Sequence, residues 1–158
     1  MTQCRLLTPA EFSDAEKARY ALAQERGKDP AWMAANHASY GWARIDEISG
    51  PCVMWFAAWM HDPANPAHME RREKAMAALA RGEAWNGLSK FYWRDWSDKR
   101  PPIVVLCPNG REWCVDSVAS NGDGWVVTGE PPNITCQPSI DVSGYHGRLL
   151  GGVFSAPI

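Results

Sequence analysis

The sequence lacks the short motifs that identify the common catalytic and nucleotide-binding sites. None of the patterns GxGxxG, GxxxxGK[ST], HExxH, GxSxG or CxxC occurs in its 158 residues. These patterns mark dinucleotide and phosphate loops, zinc proteases, hydrolase nucleophiles and paired thiols. Their absence lowers the expectation of an enzyme without removing it, because many active sites have no local motif.

Neither a strong charge imbalance nor a long apolar run is present. The formal net charge is −2, so no overall field gathers polyanions, and this disfavours a nucleic-acid partner. The longest apolar run, residues 52–60, is far shorter than the ~20 residues of a membrane-spanning helix. It predicts a buried core element and no membrane association. A helix is the favoured structure for this run, although the residues also fit a strand.

The cysteines do not form an obvious disulfide framework. They are odd in number and irregular in spacing: Cys4, Cys52, Cys107, Cys114 and Cys136. The opening residues, MTQCRLLTPA, lack the basic start and apolar stretch of a secretory signal. We therefore expect reduced thiols and a cytoplasmic location.

The residue in excess is tryptophan, with nine copies against four Phe and four Tyr. Trp buries a large apolar surface and has one N–H that needs a partner when buried. A core built on aromatic side chains is the first interpretation of this surplus. The alternative is a set of partly exposed Trp side chains that act as binding anchors.

The front part of the chain, residues 1–82, predicts mainly helices. Thr8-Pro9-Ala10-Glu11 is a capping box that begins a helix to about Arg26, with Gly27 as a left-handed stop. Asp29-Pro30 begins a shorter helix. Asn65-Pro66 begins a third, which runs to Arg81 and stops at Gly82.

The remaining part, residues 83–158, predicts short strands joined by turns. The segments with strand character are residues 103–106, 111–115, 125–128, 134–136, 145–150 and 153–156. Pro108-Asn109-Gly110 and Gly151-Gly152 supply hairpin turns. We predict a single α+β domain in which N-terminal helices pack on a small C-terminal antiparallel β-sheet.

One candidate site is a metal site in the β-rich part. Cys107, Cys114, Cys136 and His146 lie on or near predicted strand ends, and thiolates with an imidazole suit zinc. The spacing departs from the close ligand pairs of a zinc knuckle, but a hairpin could bring Cys107 and Cys114 opposite each other. The alternative is that the cysteines are small buried hydrophobes and His146 lies on the surface.

The second candidate is a partner-binding segment in which basic and aromatic residues alternate. Its residues are Trp93, Arg94, Trp96, Lys99 and Arg100. Trp and Arg are typical hot spots of protein interfaces. The same pattern could stack on and track a nucleic acid, but Asp95 and Asp98 cancel much of the local charge. A purely structural role in the core is the third interpretation.

From residue 91 onward the chain resembles small uncharacterised proteins of tailed phages. The segments concerned include GWVVTGEPPNITCQPSI and GYHGRLLGGVF. The matching positions are Thr135, Pro138, Ser139, Ile140, His146 and Gly152, and the pattern is similar to the DUF6527 family. Family members often place a Cys three residues before the His, which implies a metal site. This chain has Ser143 there. The resemblance implies a phage protein made in the cytoplasm of a bacterial host.

Three functions are consistent with these features. The first is a non-enzymatic binder of a host or phage protein, such as a host-defence antagonist, and it is favoured by the missing catalytic motifs. The second is a zinc-binding module or hydrolase that uses the Cys and His residues of the β-rich part. The third is a structural component of the virion.

Overall fold

The computed structural model describes residues 2–56, 103–116 and 125–158 and seven positions between 66 and 81. Those seven are Pro66, Glu70, Glu73, Lys74, Ala77, Ala80 and Arg81. The positions from 66 to 80 among them are helical, in agreement with the predicted third helix. An i,i+4 ion pair lies on this helix, with Lys74 Nζ 2.8 Å from Glu70 Oε1. Within the described part of the chain, no helix has the length and hydrophobicity needed to cross a bilayer.

The first two helices, α1 and α2, begin where their capping residues predict. α1 spans Pro9–Gly27, and its capping box is confirmed. The Glu11 N–H donates to Thr8 Oγ1 at 3.1 Å, and the Thr8 N–H donates to Glu11 Oε1 at 3.0 Å. α2 spans Pro30–Ala35 behind the N-cap Asp29, and α3 spans Asp46–Ser49.

Gly27 does not end α1 in the way that the sequence predicts. It is the last residue of the helix, and Lys28 behind it keeps a right-handed backbone with φ −94°. It is Gly41 that permits a close crossing at this end of the helix. A Cβ on Gly41 would lie 1.9 Å from the Ala23 carbonyl oxygen and 2.5 Å from the Gly27 nitrogen. The segment after α2 therefore passes directly against the end of α1.

The first sheet combines strands from both parts of the chain. β1 (Arg5–Leu6) and β2 (Val53–Phe56) come from residues 1–82, and β3 (Ile103–Leu106) and β4 (Glu112–Cys114) come from residues 83–158. The strand order is β1-β2-β3-β4. β1 is parallel to β2, whereas the other neighbours are antiparallel. The predicted hairpin of residues 103–106 and 111–115 is confirmed.

The prediction of a helix over residues 52–60 is wrong for the part that the structure describes. Residues 53–56 form β2, which lies between β1 and β3. Both faces of this strand are covered: Val53 and Trp55 belong to one core cluster and Met54 to another. A strand buried on both faces has no polar alternation, so its sequence resembles that of a buried helix.

The second sheet is antiparallel and C-terminal, as predicted, but the predicted strands 103–106 and 111–115 belong to the first sheet instead. The second sheet consists of β5 (Val126–Thr128), β6 (Thr135–Val142), β7 (Tyr145–Leu150) and β8 (Val153–Phe154), in that order. β6 runs six residues beyond the predicted end at Cys136. Pro138 is tolerated there because it falls in a register irregularity between Cys136 and Ile140, where the ladder is interrupted.

Two hydrophobic clusters hold these elements in three layers. One cluster fills the space between the sheets and includes Met54, Val105, Ile134 and Leu149. The other lies between the first sheet and α1, where Phe12 stacks on Trp55 at a ring-centroid distance of 5.0 Å. The predicted α+β class is confirmed, with a second sheet in addition to the predicted one.

The N-terminal segment joins the two sheets. The Cys4 N–H donates to the Gly152 carbonyl at 2.7 Å, and Gln3 forms an isolated antiparallel bridge with Val153 in the second sheet. The next residue belongs to the first sheet, where the Arg5 N–H donates to the Cys52 carbonyl at 2.8 Å. Residues 3–6 thus make main-chain contacts with β8 and β2 in succession.

Candidate functional site

The four predicted zinc ligands do not come together. Cys107 and Cys136 lie in the cluster between the sheets, whereas His146 is exposed on the outer side of the second sheet. The hairpin does not place Cys107 opposite Cys114. The Cys107 N–H donates a hydrogen bond to the Arg111 carbonyl, and Cys114 pairs with Val104 in the strand register. Among the described residues, no group of three or more His, Cys, Asp and Glu side chains has a metal-binding arrangement.

Burial raises the pKa of the Cys107 thiol to about 12, so the free thiol is protonated at neutral pH and would have to release its proton to bind a metal.

The predicted partner-binding segment lies outside the described residues. This holds for all five of its members, Trp93, Arg94, Trp96, Lys99 and Arg100. Its role as a protein interface therefore stays a prediction.

The outer face of the second sheet is open to solvent among the described residues. Side chains of β7 alternate strictly: Tyr145 and Leu149 point into the core, whereas His146, Arg148 and Leu150 are exposed. This alternation is typical of a sheet with one covered face. Gly147 allows the inward packing, because a Cβ there would lie within 2.4 Å of the Tyr145 ring.

A shallow cleft of about 460 Å³ lies on this open face. Its lining residues come from three adjacent strands: Val126, Gln137, Pro138, Ser139, Arg148 and Leu150. Val126 is 64% exposed and Leu150 47% exposed, so the cleft presents apolar surface that the fold itself does not cover. A binding surface commonly combines such apolar area with a few polar groups.

Arg148 is the charged group of the cleft. Four other arginines, Arg5, Arg19, Arg26 and Arg44, each form an ion pair. The Arg148 guanidinium makes no ion pair or hydrogen bond with any residue that the structure describes. The backbone of Arg148 is fixed in β7, where its N–H donates to Ser155 Oγ at 2.9 Å. Its five N–H donors are available to an external carboxylate or phosphate.

A serine–histidine pair adjoins the cleft. His146 Nε2 lies 3.2 Å from Ser139 Oγ, and the Trp125 indole N–H donates to the Ser139 carbonyl at 3.2 Å. Asp141 is opposite His146 in the strand register. In the described structure, however, the Asp141 carboxylate makes no hydrogen bond to the imidazole. The pair thus supplies two of the three groups of an oriented nucleophile–base arrangement.

The residues on which the suggested DUF6527 resemblance rests lie in β6, in β7 and in the turn before β8. Thr135 Oγ1 accepts the Gly151 N–H at 2.8 Å and so supports the last hairpin turn. Gly152 has φ +81°, and a Cβ there would lie 2.1 Å from the Pro132 carbonyl oxygen. Ser139 and His146 form the pair described above. The pattern thus combines turn-forming residues with one exposed polar pair.

No protein-family model, curated protein sequence or solved structure matches this chain. The phage origin and the DUF6527 resemblance therefore stay predictions. No sequence motif marks Arg148, Val126 or Leu150. The alternation of YHGRLL in β7 was the available signal for its exposed positions, whereas the lack of a described partner for Arg148 depends on tertiary contacts.

Proposed function

We propose that this protein is a non-enzymatic binding protein whose open sheet face takes an acidic, extended segment of another protein. The observation that carries the proposal is the cleft that Arg148, which has no ion pair among the described residues, shares with the exposed Val126 and Leu150. Arginine beside apolar side chains is typical of the centre of a protein interface.

The chemistry of the cleft suggests how the segment binds. A carboxylate of the partner would accept two parallel N–H bonds from the Arg148 guanidinium, a geometry that Lys does not provide. An adjacent apolar side chain of the partner would cover Val126 and Leu150. β5 is at the edge of its sheet among the described strands, so an extended segment could also add main-chain hydrogen bonds.

The resemblance to phage proteins supplies the context of this proposal. A host or phage protein in the bacterial cytoplasm would be the partner, and antagonism of a host-defence factor would be one outcome of such binding. The segment with Trp93, Arg94, Trp96, Lys99 and Arg100 is proposed as a second contact region, because Trp and Arg anchor interfaces.

The experiment compares capture of host proteins by the wild type, Arg148→Glu and Arg111→Glu. Arg111 is also exposed, but it lies in the β3–β4 turn of the first sheet, so its variant controls for a change in net charge. Quantitative mass spectrometry measures the enrichment of each captured protein. We expect Arg148→Glu to reduce the enrichment of the partner at least ~10-fold, equivalent to 1.4 kcal/mol, whereas Arg111→Glu retains it.

A second comparison tests the apolar part of the cleft and the proposed second region. Leu150→Ser should weaken capture in proportion to the apolar area lost, and Trp93→Ala with Trp96→Ala tests the neighbouring segment. Circular dichroism on each variant establishes that it is folded. Equal enrichment by the wild type, Arg148→Glu and Leu150→Ser would contradict the proposed surface.

A further inference from the structure

Three cysteines that are far apart in the sequence meet at one end of the first sheet. The register pairs Arg5 with Val53 and Met54 with Val105. Continued by one residue past the strand ends, the same register sets Cys52 opposite both Cys4 and Cys107. Cys4 and Cys107 belong to the core cluster between the sheets, and Cys52 packs against it. The three side chains therefore lie on the same face.

The continued register predicts a spacing between Cys4 and Cys52 that suits a disulfide. Neighbouring strands lie about 4.8 Å apart, within the Cα separations of roughly 4.4–6.8 Å that disulfides span. The hydrogen bond from the Arg5 N–H to the Cys52 carbonyl, 2.8 Å long, fixes the two backbones at this spacing. Burial, with the neighbouring Cys52 thiol as a further cause, raises the pKa of the Cys4 thiol to about 12.

The two thiols differ in access. Cys4 is 2% exposed, whereas Cys52 is only partly buried. Cys52 also has φ +55°, a left-handed backbone that is unfavourable for a residue with a Cβ. Such conformations persist where the surrounding structure imposes them, and they are frequent at functional positions.

We propose that Cys4 and Cys52 are a reversible disulfide site, in which Cys52 is the entry point for a peroxide oxidant. In the first step hydrogen peroxide transfers one oxygen to the Cys52 sulfur, which gives a sulfenic acid and water. In the second step the Cys4 sulfur attacks the Cys52 sulfur. The S–S bond forms, the S–O bond breaks, and the hydroxide leaves with the Cys4 proton as a second water. The disulfide is reduced again by a dithiol.

The proposed bond would act on the junction between the two sheets. Residues 3–6 contact β8 and β2 in succession, and the disulfide would attach this segment covalently to the end of β2. It would also close a loop that contains α1, α2 and α3. Loop closure of this length restricts the unfolded chain, so the oxidised protein should resist denaturant better than the reduced protein. The inference does not depend on the proposed binding function.

The experiment oxidises the reduced full-length chain with hydrogen peroxide under native conditions. Peptide mapping without reductant identifies the linked residues. We expect a mass loss of about 2 Da and a peptide that joins Cys4 to Cys52, both reversed by dithiothreitol. The urea midpoint should rise on oxidation. Cys114 and Cys136, both buried, should stay reduced, which shows that the protein remained folded.

Two variants separate this pair from the third thiol. Cys52→Ala should abolish the mass loss, whereas Cys107→Ala should retain it. If a variant does not fold, the peptide map of the oxidised wild type by itself identifies the linked cysteines. A Cys52–Cys107 link, or Cys52 ending as sulfinic acid beside a reduced Cys4, would overturn the proposal.

Discussion

The two sheets of this protein differ in how many of their faces are covered. The first lies between α1 and the second sheet, so its central strands β2 and β3 are apolar throughout, VMWF and IVVL. The second has one face in the core and one face open among the described residues, and β7 alternates as YHGRLL. The first sheet contributes both of its faces to the core, whereas the second sheet has one face of exposed side chains that are accessible to a binding partner.

The strongest test of this contrast uses two neighbouring leucines of β7. Leu149 is 0% exposed and Leu150 is 47% exposed. We expect Leu149→Ala to lower the free energy of unfolding by about 2–5 kcal/mol, because a buried leucine loses its contacts and leaves a cavity. Leu150→Ala should change it by less than about 0.5 kcal/mol. Urea denaturation followed by circular dichroism measures both.

These variants also separate stability from binding. Leu150→Ala should weaken capture of the partner while the fold is intact, since its side chain lines the cleft. If both variants lose the same stability, the outer face of the second sheet is covered in solution, and the contrast between the sheets fails.

The parts of the fold that are local in sequence could be predicted from it. The capping box at Thr8 and the hairpin at Gly151-Gly152 depend on residues a few positions apart, and both are present. β2 could not be assigned in this way. Its strand character follows from pairing with β1 and β3, and β3 begins 47 residues after β2 ends, at Ile103 and Phe56 respectively.

The same distinction applies to the candidate sites. Alternation in β7 would have placed His146 and Arg148 on one face, but whether a described residue pairs with Arg148 depends on the positions of acidic residues elsewhere. The candidate zinc ligands do not form a group among the described residues, and strand register, which spacing does not reveal, puts Cys107 near Cys52 and Cys4. The sequence shows which residues could serve as ligands, but strand register determines which of them are neighbours.

A smaller effect is expected from the buried carboxylate of the first sheet. Asp116 is 5% exposed, and its Oδ2 accepts the Ile103 N–H at 2.9 Å. Asp116→Ala leaves this buried N–H without its acceptor, so we expect a loss of about 1–3 kcal/mol. Asp141→Ala removes an exposed carboxylate from the open sheet and should cost less than about 0.5 kcal/mol. Equal costs in thermal or urea unfolding would argue against the buried hydrogen bond.

The smallest effect concerns the ion pair in the layer that covers the first sheet. Arg26 Nη2 lies 2.6 Å from Glu47 Oε1 and connects α1 to α3. The hydrogen bond from Arg26, aided by the Arg44 N–H, lowers the pKa of Glu47 below its ordinary value of 4.5. A carboxyl group with a lowered pKa in the folded state stabilises the protein above the unfolded pKa. This contribution is lost as the pH falls through the folded pKa.

Glu47→Gln should therefore lower the free energy of unfolding by roughly 1 kcal/mol or less at pH 7, as expected of a partly exposed pair. The difference from the wild type should shrink as the pH falls from about 5 towards 3, because the wild-type carboxyl becomes neutral as well. Arg148→Gln removes a charge from the open sheet that has no described partner, so its stability should follow the wild type at every pH. Urea midpoints measured across this range test both variants. A pH-dependent loss in Arg148→Gln would reveal a carboxylate partner on the open face and remove the basis for an external one.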